Sequence, residues 1–485
     1  MATSRLCGLV IVLAATSARA EPAQITTEPA KPPPAETPAP VAAEPLREPT
    51  AAELAGAPVP GTESGRTDPV DDGDSTLRWI GRGVLFVPKV VLNVALTPVR
   101  VSVWAYDRYQ LDDLYRRVFF NDALTMGVVP TATYEIGFGF TAGARFVHRD
   151  LLGHREHLSI HAGYGGRYHA IVGGQLRTGE LFGDRVAFEL DAGYEKRPHD
   201  AFYGLGNGSE MAAPANPIDP LIDDTAVETR YRQQRFRGSI LSDLRVWDGL
   251  HVRPNGTITE VDFGPGDTGT PIDTVYDPAM LVGFGGSKIL YGELEVRWDS
   301  RHALTTFEPG ATFSGGWLVG AFGGRAHRLD PGTDYWRYGV DAQHFLRVGA
   351  GPRVLVTRLH GEAVSGSRAE MPFNELPMLG GPTYLRGYAL DRFRDRVAAF
   401  GSIEYQWDLS QLISASIFVD AGRVFPAVGD LSLAHLRAGY GIALEGHSPG
   451  TFLVQGSLAS SIDGGVFATL SFNPVFDIDE RVRRR

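Results

Sequence analysis

From Val128 onward, apolar side chains recur at every second position. Ser159-Ile160-His161-Ala162-Gly163-Tyr164 alternates in this way, as do Val186 to Ala192 and Leu290 to Trp298. A period of two gives each run one apolar and one polar face, the mark of a β-strand covered differently on its two sides. In a soluble sandwich the polar face points outward to water. In a membrane barrel it points into the lumen. Alternation alone does not choose between these, but loop lengths do. About sixteen strand candidates run from 127–135 to 465–476. The gaps after the fifth, seventh and eleventh are long, at 196–225, 263–283 and 366–395. Gaps after even-numbered candidates are mostly short, the longest near 299–311. An even count, with short turns at one end and long loops at the other, is the outer-membrane pattern. The expected fold is all-β: a sixteen-stranded antiparallel transmembrane β-barrel over 121–485.

Composition agrees with many strands joined by glycine turns: 58 Gly and 10% aromatics. The net charge of −11 gives no case for a nucleic-acid partner. A mean hydropathy of −0.10 argues against a helical membrane protein. It is compatible with barrel strands, which are only half apolar.

The start of the chain reads as export machinery. Residues 1–20 form a signal peptide, with Arg5, an apolar run from Leu9 to Ala15, and Ala18-Arg19-Ala20 as the cleavage site. Cys7 is the only cysteine and lies before the apolar run, so the mature chain is expected to hold neither disulfide nor reactive thiol. Residues 21–78 contain no aromatic residue, and twelve of the fifty residues from Glu21 to Val70 are proline. So little apolar surface cannot offset the entropy of ordering, and a disordered Pro/Ala-rich linker is expected. In 79–120, the apolar run Trp79 to Trp104 is broken by Pro88 and Pro98 and carries Lys89 and Arg100. A second helical pattern covers about Val99 to Phe119. Amphipathic helices on the inner leaflet or in the barrel mouth are the expectation, an ordinary packed hairpin the alternative.

The most informative stretch is Leu379-Gly380-Gly381-Pro382-Thr383-Tyr384-Leu385-Arg386-Gly387-Tyr388, inside the long polar gap 366–395. It is followed by a strand whose polar face carries Ser402, Glu404, Gln406 and Asp408. In the next strand Ser414, Ser416, Phe418 and Asp420 oppose the apolar set. With the apolar faces toward lipid, Glu404 and Asp420 face the lumen from adjacent strands. Arginine offers a planar fork suited to carboxylates, so a loop tip carrying Arg386 is expected to anchor on Asp420, with Glu404 near. Gly380, Gly381 and Gly387 permit a tight tip, and Tyr384 and Tyr388 are expected beside Phe418.

This combination resembles the BamA/TamA superfamily of outer-membrane assembly and translocation barrels, the bacterial surface antigen family. Leu385-Arg386-Gly387-Tyr388 matches its Val-Arg-Gly-Phe/Tyr signature, and Phe418-Val419-Asp420-Ala421-Gly422 its Phe-x-Asp-x-Gly motif. Weaker matches are Arg297 to Arg301 with Pro309-Gly310, Phe202 to Asn207, and the terminal Phe472 to Phe476. The resemblance runs from about Val128 to Phe476. It implies residence in the outer membrane and a role in protein insertion or translocation, or in outer-membrane biogenesis. The implied partners are outer-membrane lipid and unfolded outer-membrane or secreted proteins. Members of the family carry periplasmic POTRA domains before the barrel. Here 21–78 is too poor in apolar residues to form one, and 79–120 is too short and too helical. A barrel without those modules is expected, and the alternative function is a passive pore or structural surface barrel.

No enzyme, cofactor or metal is expected. Gly446-His447-Ser448-Pro449-Gly450 has the G-x-S-x-G spacing of a nucleophile elbow, but falls between two strand patterns rather than between strand and helix. The thirteen histidines form no H-E-x-x-H pair. Asp219, Asp223 and Asp224, and Asp262, Asp267 and Asp273, are read as solvated loop carboxylates rather than calcium ligands. A weak closing seam is expected, because Pro130 and Pro474 lack ladder donors and Gly464 and Gly465 open the last strand pattern.

Overall fold

The computed structural model describes residues 117–135, 139–166, 168–179, 181–183, 185–209, 226–303, 313–349, 353–410, 413–448 and 451–471. The expected signal peptide, the linker, nearly all of the 79–120 segment, and Pro474 lie outside them.

Alternating sequence becomes strand after strand. These are β1 (Met126–Glu135), β2 (Gly139–His148), β3 (His157–Gly165), β4 (His169–Arg177), β5 (Val186–Phe202) and β6 (Thr229–Trp247). Then follow β7 (Leu250–Pro265), β8 (Ser287–Asp299), β9 (His302–Ala303), β10 (Phe313–Arg328), β11 (Tyr335–Arg347) and β12 (Arg353–Val364). The last are β13 (Met378–Leu379), β14 (Phe393–Arg394), β15 (Val397–Ser410), β16 (Ile413–Phe425), β17 (Arg437–Ser448), β18 (Thr451–Ser461) and β19 (Val466–Ser471). Setting aside the two-residue strands β9, β13 and β14, sixteen remain, each at a position expected from the alternation.

Every ladder between neighbouring long strands is antiparallel, from β1–β2 to β8–β10 and on to β18–β19. Among the described residues no ladder joins β1 to β19. Pro130 stands opposite Ala144 of β2. Gly464 and Gly465 sit in the β18–β19 turn at positive φ, rather than opening the last strand.

Burial shows which way the faces point. Ile403 is 58% exposed while its neighbour Glu404 has no exposed surface; Val419 is 56% exposed while Asp420 has none. The apolar face is outside and the polar face inside, the reverse of a soluble sandwich. Only lipid makes an apolar exterior favourable. This is an outer-membrane barrel.

The long connections after β5, β7 and β12 leave from one end, and at the opposite end β6 and β7 are joined by 248–249 alone. β5 continues to Phe202, past the expected end at 195. Alternation fails over Lys196 to Asp200, yet the ladder to β6 resumes after a register shift between Arg197 and Asp200. Backbone pairing needs no alternation where neither face meets lipid. Above this point the long loops build a soluble-style core. Phe202, Tyr231 and Phe263 each meet Phe373 with centroids 4.8–5.5 Å apart, and Ile272, Tyr276, Leu281, Met371 and Leu376 pack around them. This core caps the long-loop end over β5–β12.

Candidate functional site

The 365–396 connection re-enters the barrel. The short pair β13–β14 closes its neck, and beyond that neck Gly380 and Gly381 turn at φ +119° and +93°. Leu385 adopts φ +64°, a left-handed conformation costly for a residue with a Cβ, and is fully buried. The contacts of the next residue, Arg386, hold that strain in place. The Arg386 amide donates to Asp420 Oδ2 at 2.9 Å. Its guanidinium forks onto Asp420, Nε to Oδ2 and Nη2 to Oδ1, both at 2.8 Å. Nη1 donates to Glu404 Oε2 at 2.6 Å and Nη2 to Ser402 Oγ at 3.1 Å. Ser402 Oγ in turn donates to Asp420 Oδ1 at 2.7 Å. The guanidinium lies 3.4 Å over the Phe418 ring. One cation thus meets two carboxylates and an aromatic face, all buried, each hydrogen-bonded as a buried charge requires.

Strand register explains why the tip fits. Ser402, Asp420, Gly439 and Ser461 form one row across β15–β18. Glu404, Phe418, Gly441 and Ala459 form the next. The two carboxylates sit on β15 and β16, and the wall beside them is stripped to glycine on β17. A Cβ on Gly439 would lie 1.7 Å from the Arg386 carbonyl oxygen, and one on Gly387 would lie 2.4 Å from the Ser460 carbonyl oxygen. Loop backbone therefore rests directly on wall backbone. Gly422, with Leu379 against it, supports the neck of the loop.

The tyrosines go elsewhere than beside Phe418. Tyr384 packs on His360 at 4.6 Å and edge-on to Phe400 at 5.9 Å. Tyr388 packs on Phe393 and donates its hydroxyl to Asp463 Oδ2 at 2.8 Å. The ring expected to cover Phe418 is displaced by the guanidinium, a better partner for an aromatic face inside a charged pocket.

Two further ion clusters hold the loop, and the sequence reading did not find them. Arg358 forks onto Asp341, Nε at 3.0 Å and Nη2 at 2.6 Å to Oδ2, and lies 4.8 Å over the Tyr384 ring. His360 Nδ1 is 3.1 Å from the same carboxylate. Arg337 bridges Glu362 at 2.6 Å and loop residue Glu375 at 2.9 Å, and Arg368 pairs with Asp395 within the loop. The cluster residues of β11 and β12 stand on polar positions of their strands, which is the only signal the sequence offers. The Phe202 to Asn207 stretch also meets the site. Asn207 donates Nδ2 to the Val424 carbonyl at 2.7 Å and accepts its amide at 3.1 Å, as a strand neighbour would.

Gly446-His447-Ser448 ends β17 and pairs with β18, so no strand-to-helix elbow forms there. Among the described residues no group of three side chains could hold a metal ion.

Tyr388 supplies a pH signature. Burial, reinforced by the bond to Asp463, pushes its hydroxyl up from 10 to about 12. A raised pKa means its contribution is full below pH 10 and is lost as pH rises through 12. Loop protection against protease is expected to fall across that interval in the wild type, and Tyr388→Phe should flatten the step. An unchanged step in the variant would assign it to another group.

Residues 311–464 match the Omp85 superfamily domain. That span contains the Leu385–Tyr388 and Phe418–Gly422 motifs, in agreement with the BamA/TamA resemblance. Similar solved structures include BamA from Haemophilus ducreyi lacking POTRA domains 1–3, with 16% identity and a TM-score of 0.49 over 72% of this chain and 70% of that one. CdiB from Escherichia coli has 11% identity and a TM-score of 0.45, over 72% and 60%. CdiB from Acinetobacter baumannii has 10% and 0.41, over 69% and 55%. The chain thus spans less than two thirds of either CdiB. No protein with a curated description matches the sequence.

Proposed function

We propose that this outer-membrane protein, whose residues 311–464 match the Omp85 superfamily domain, inserts polypeptide into the outer membrane or passes it across. The observation that carries the reading is the Arg386 tip, buried against β15–β18 inside the barrel. A pore for free diffusion loses conductance to a long loop ordered at entropic cost within its lumen. Three ion clusters and the apolar cap favour a closed long-loop end, which suits passage of client chains along the wall near β1 and β19 better than free diffusion. Outer-membrane lipid contacts the apolar exterior, and unfolded outer-membrane or secreted proteins are the client class.

The test is reconstitution. Vesicles carrying the purified full chain should speed the folding of a urea-denatured outer-membrane barrel several-fold over empty vesicles, read by heat-modifiable gel migration. The same preparation in planar bilayers should give small, flickering currents. Equal folding rates with large steady conductance would overturn the proposal in favour of a passive pore.

A further inference from the structure

The inner wall is charged unevenly. On β5–β12 the buried inward arginines have anions: Arg235 meets Glu195 at 2.9 Å, Arg237 meets Asp191 at 3.0 Å, and Arg253 meets Glu295 at 3.4 Å. Arg337 and Arg358 are paired as described above. The wall of β2–β4 differs. Arg145 of β2 stands opposite His161 of β3, and His157 of β3 opposite Arg177 of β4. Arg149 follows the end of β2, its guanidinium 5.0 Å over the Phe120 ring. Among the described residues no carboxylate reaches ion-pair distance of Arg145, Arg149 or Arg177. The acids nearest in sequence are engaged: Asp150 accepts the Arg155 amide at 2.9 Å, and Glu156 the Leu152 and His154 amides at 3.0 and 3.2 Å. Glu189, which stands opposite Arg177 across the β4–β5 ladder, accepts Gln175 Nε2 at 2.7 Å. The Nε–H groups of Arg145 and Arg149 are shielded from water without an acceptor.

A shielded donor without an acceptor costs free energy. The chain is acidic overall, at −11, so this row runs against its own average. It also lies at the short-turn end, opposite the capped one, where an entering chain would first meet the wall. Phe146, Ile160 and Val172 alternate with the row on the lipid side, so the basic groups face the lumen and not the bilayer.

We propose that Arg145, Arg149 and Arg177, with His157 and His161, form an entry site for acidic, extended segments of client polypeptide. Arg149, His157 and Arg177 span three strands spaced about 4.8 Å apart, and Arg145 and His161 form a second level above them. An extended chain presents side chains on one face about every 6.8 Å and matches a spread of basic groups over two levels. A single phosphate would engage only one pair of them. The inference rests on the client reading above, but binding is measured without insertion.

The probe is a fluorescein-labelled peptide with Glu at alternate positions, set beside a Ser counterpart and offered to the full chain in zwitterionic nanodiscs. The Glu peptide should bind at least tenfold tighter than the Ser peptide, with affinity falling as salt rises. Combined Arg145→Gln, Arg149→Gln and Arg177→Gln should abolish the difference while heat-modifiable migration stays unchanged. A variant that loses the migration would be replaced by the three single substitutions, each expected to weaken binding severalfold. Equal binding of both peptides, or a triple variant that binds like wild type, overturns the site. Displacement of the labelled peptide by anionic phospholipid vesicles but not by unlabelled Glu peptide would assign the row to lipid phosphate and overturn it equally. A barrel that speeds insertion yet ignores the Glu peptide would sink this inference alone.

Discussion

Arg386→Ala is expected to release the 365–396 loop. The substitution leaves Asp420 and Glu404, both without exposed surface, with no cation between them. Breaking one side of such a buried arrangement costs roughly 3–5 kcal/mol, because an uncompensated charge remains. Asp420→Ala should cost less, since Arg386 keeps Glu404 at 2.6 Å. Arg386→Lys should rescue only partly: an ammonium reaches one carboxylate but cannot fork onto Asp420 while also donating to Glu404 and Ser402. The double variant Arg386→Ala with Asp420→Ala should be little worse than Arg386→Ala alone, as the two groups act as a unit. Protease cleavage within the loop from outside, followed with bilayer conductance, reads the outcome. Wild-type protection in Arg386→Ala, or simple addition of the two effects, would show that the ion cluster does not hold the loop.

The second large effect needs no charge at all. Gly439→Ala should displace the same tip, because its new Cβ would lie 1.7 Å from the Arg386 carbonyl oxygen. Backbone on both sides meets at that point, so neither can yield by rotating a side chain. Overpacking of this kind costs about 1–3 kcal/mol and moves the intruding backbone. The expected result is loop cleavage approaching that of Arg386→Ala, with every wall partner of the arginine intact. Gly456→Ala is the control: a Cβ there meets nothing within 4 Å. Should Gly439→Ala protect its loop as well as Gly456→Ala does, the wall recess has no part in seating the tip.

These two cases mark how far the sequence is readable. Arg386, Glu404 and Asp420 can be picked out because strand parity is strict. Once lipid takes the apolar face, the polar positions must face the lumen, and charged residues there need partners. The sixteen strands are legible for the same reason, since period two is a local property. Gly439 is not legible. It is one of 58 glycines, and only the register of β16 against β17 places it beside Asp420. The pairing of Arg358 with Asp341 depends likewise on β11–β12 register, and the apolar cap on contacts among three loops distant in sequence. The long reach of β5 is hidden because its upper part meets protein and water, so lipid imposes no alternation on it. Tyr384 and Tyr388 are open to misplacement because parity says nothing about the inside of a loop.

The amide clasp between Asn207 and Val424 joins positions 217 apart in the chain. Loop closure over such a separation is slow, and ladders between neighbouring strands form with far less of it. The clasp therefore sets an order of events. β5, β6 and the hairpin of β15 and β16 must exist before Asn207 has a backbone to hold. The tip, which rests on β17 and β18 as well, can seat only after β15–β18 are paired. Seating the tip is then a late step for this half of the sheet, and a folding intermediate trapped before it would carry β15–β18 paired with the 365–396 segment still cleavable.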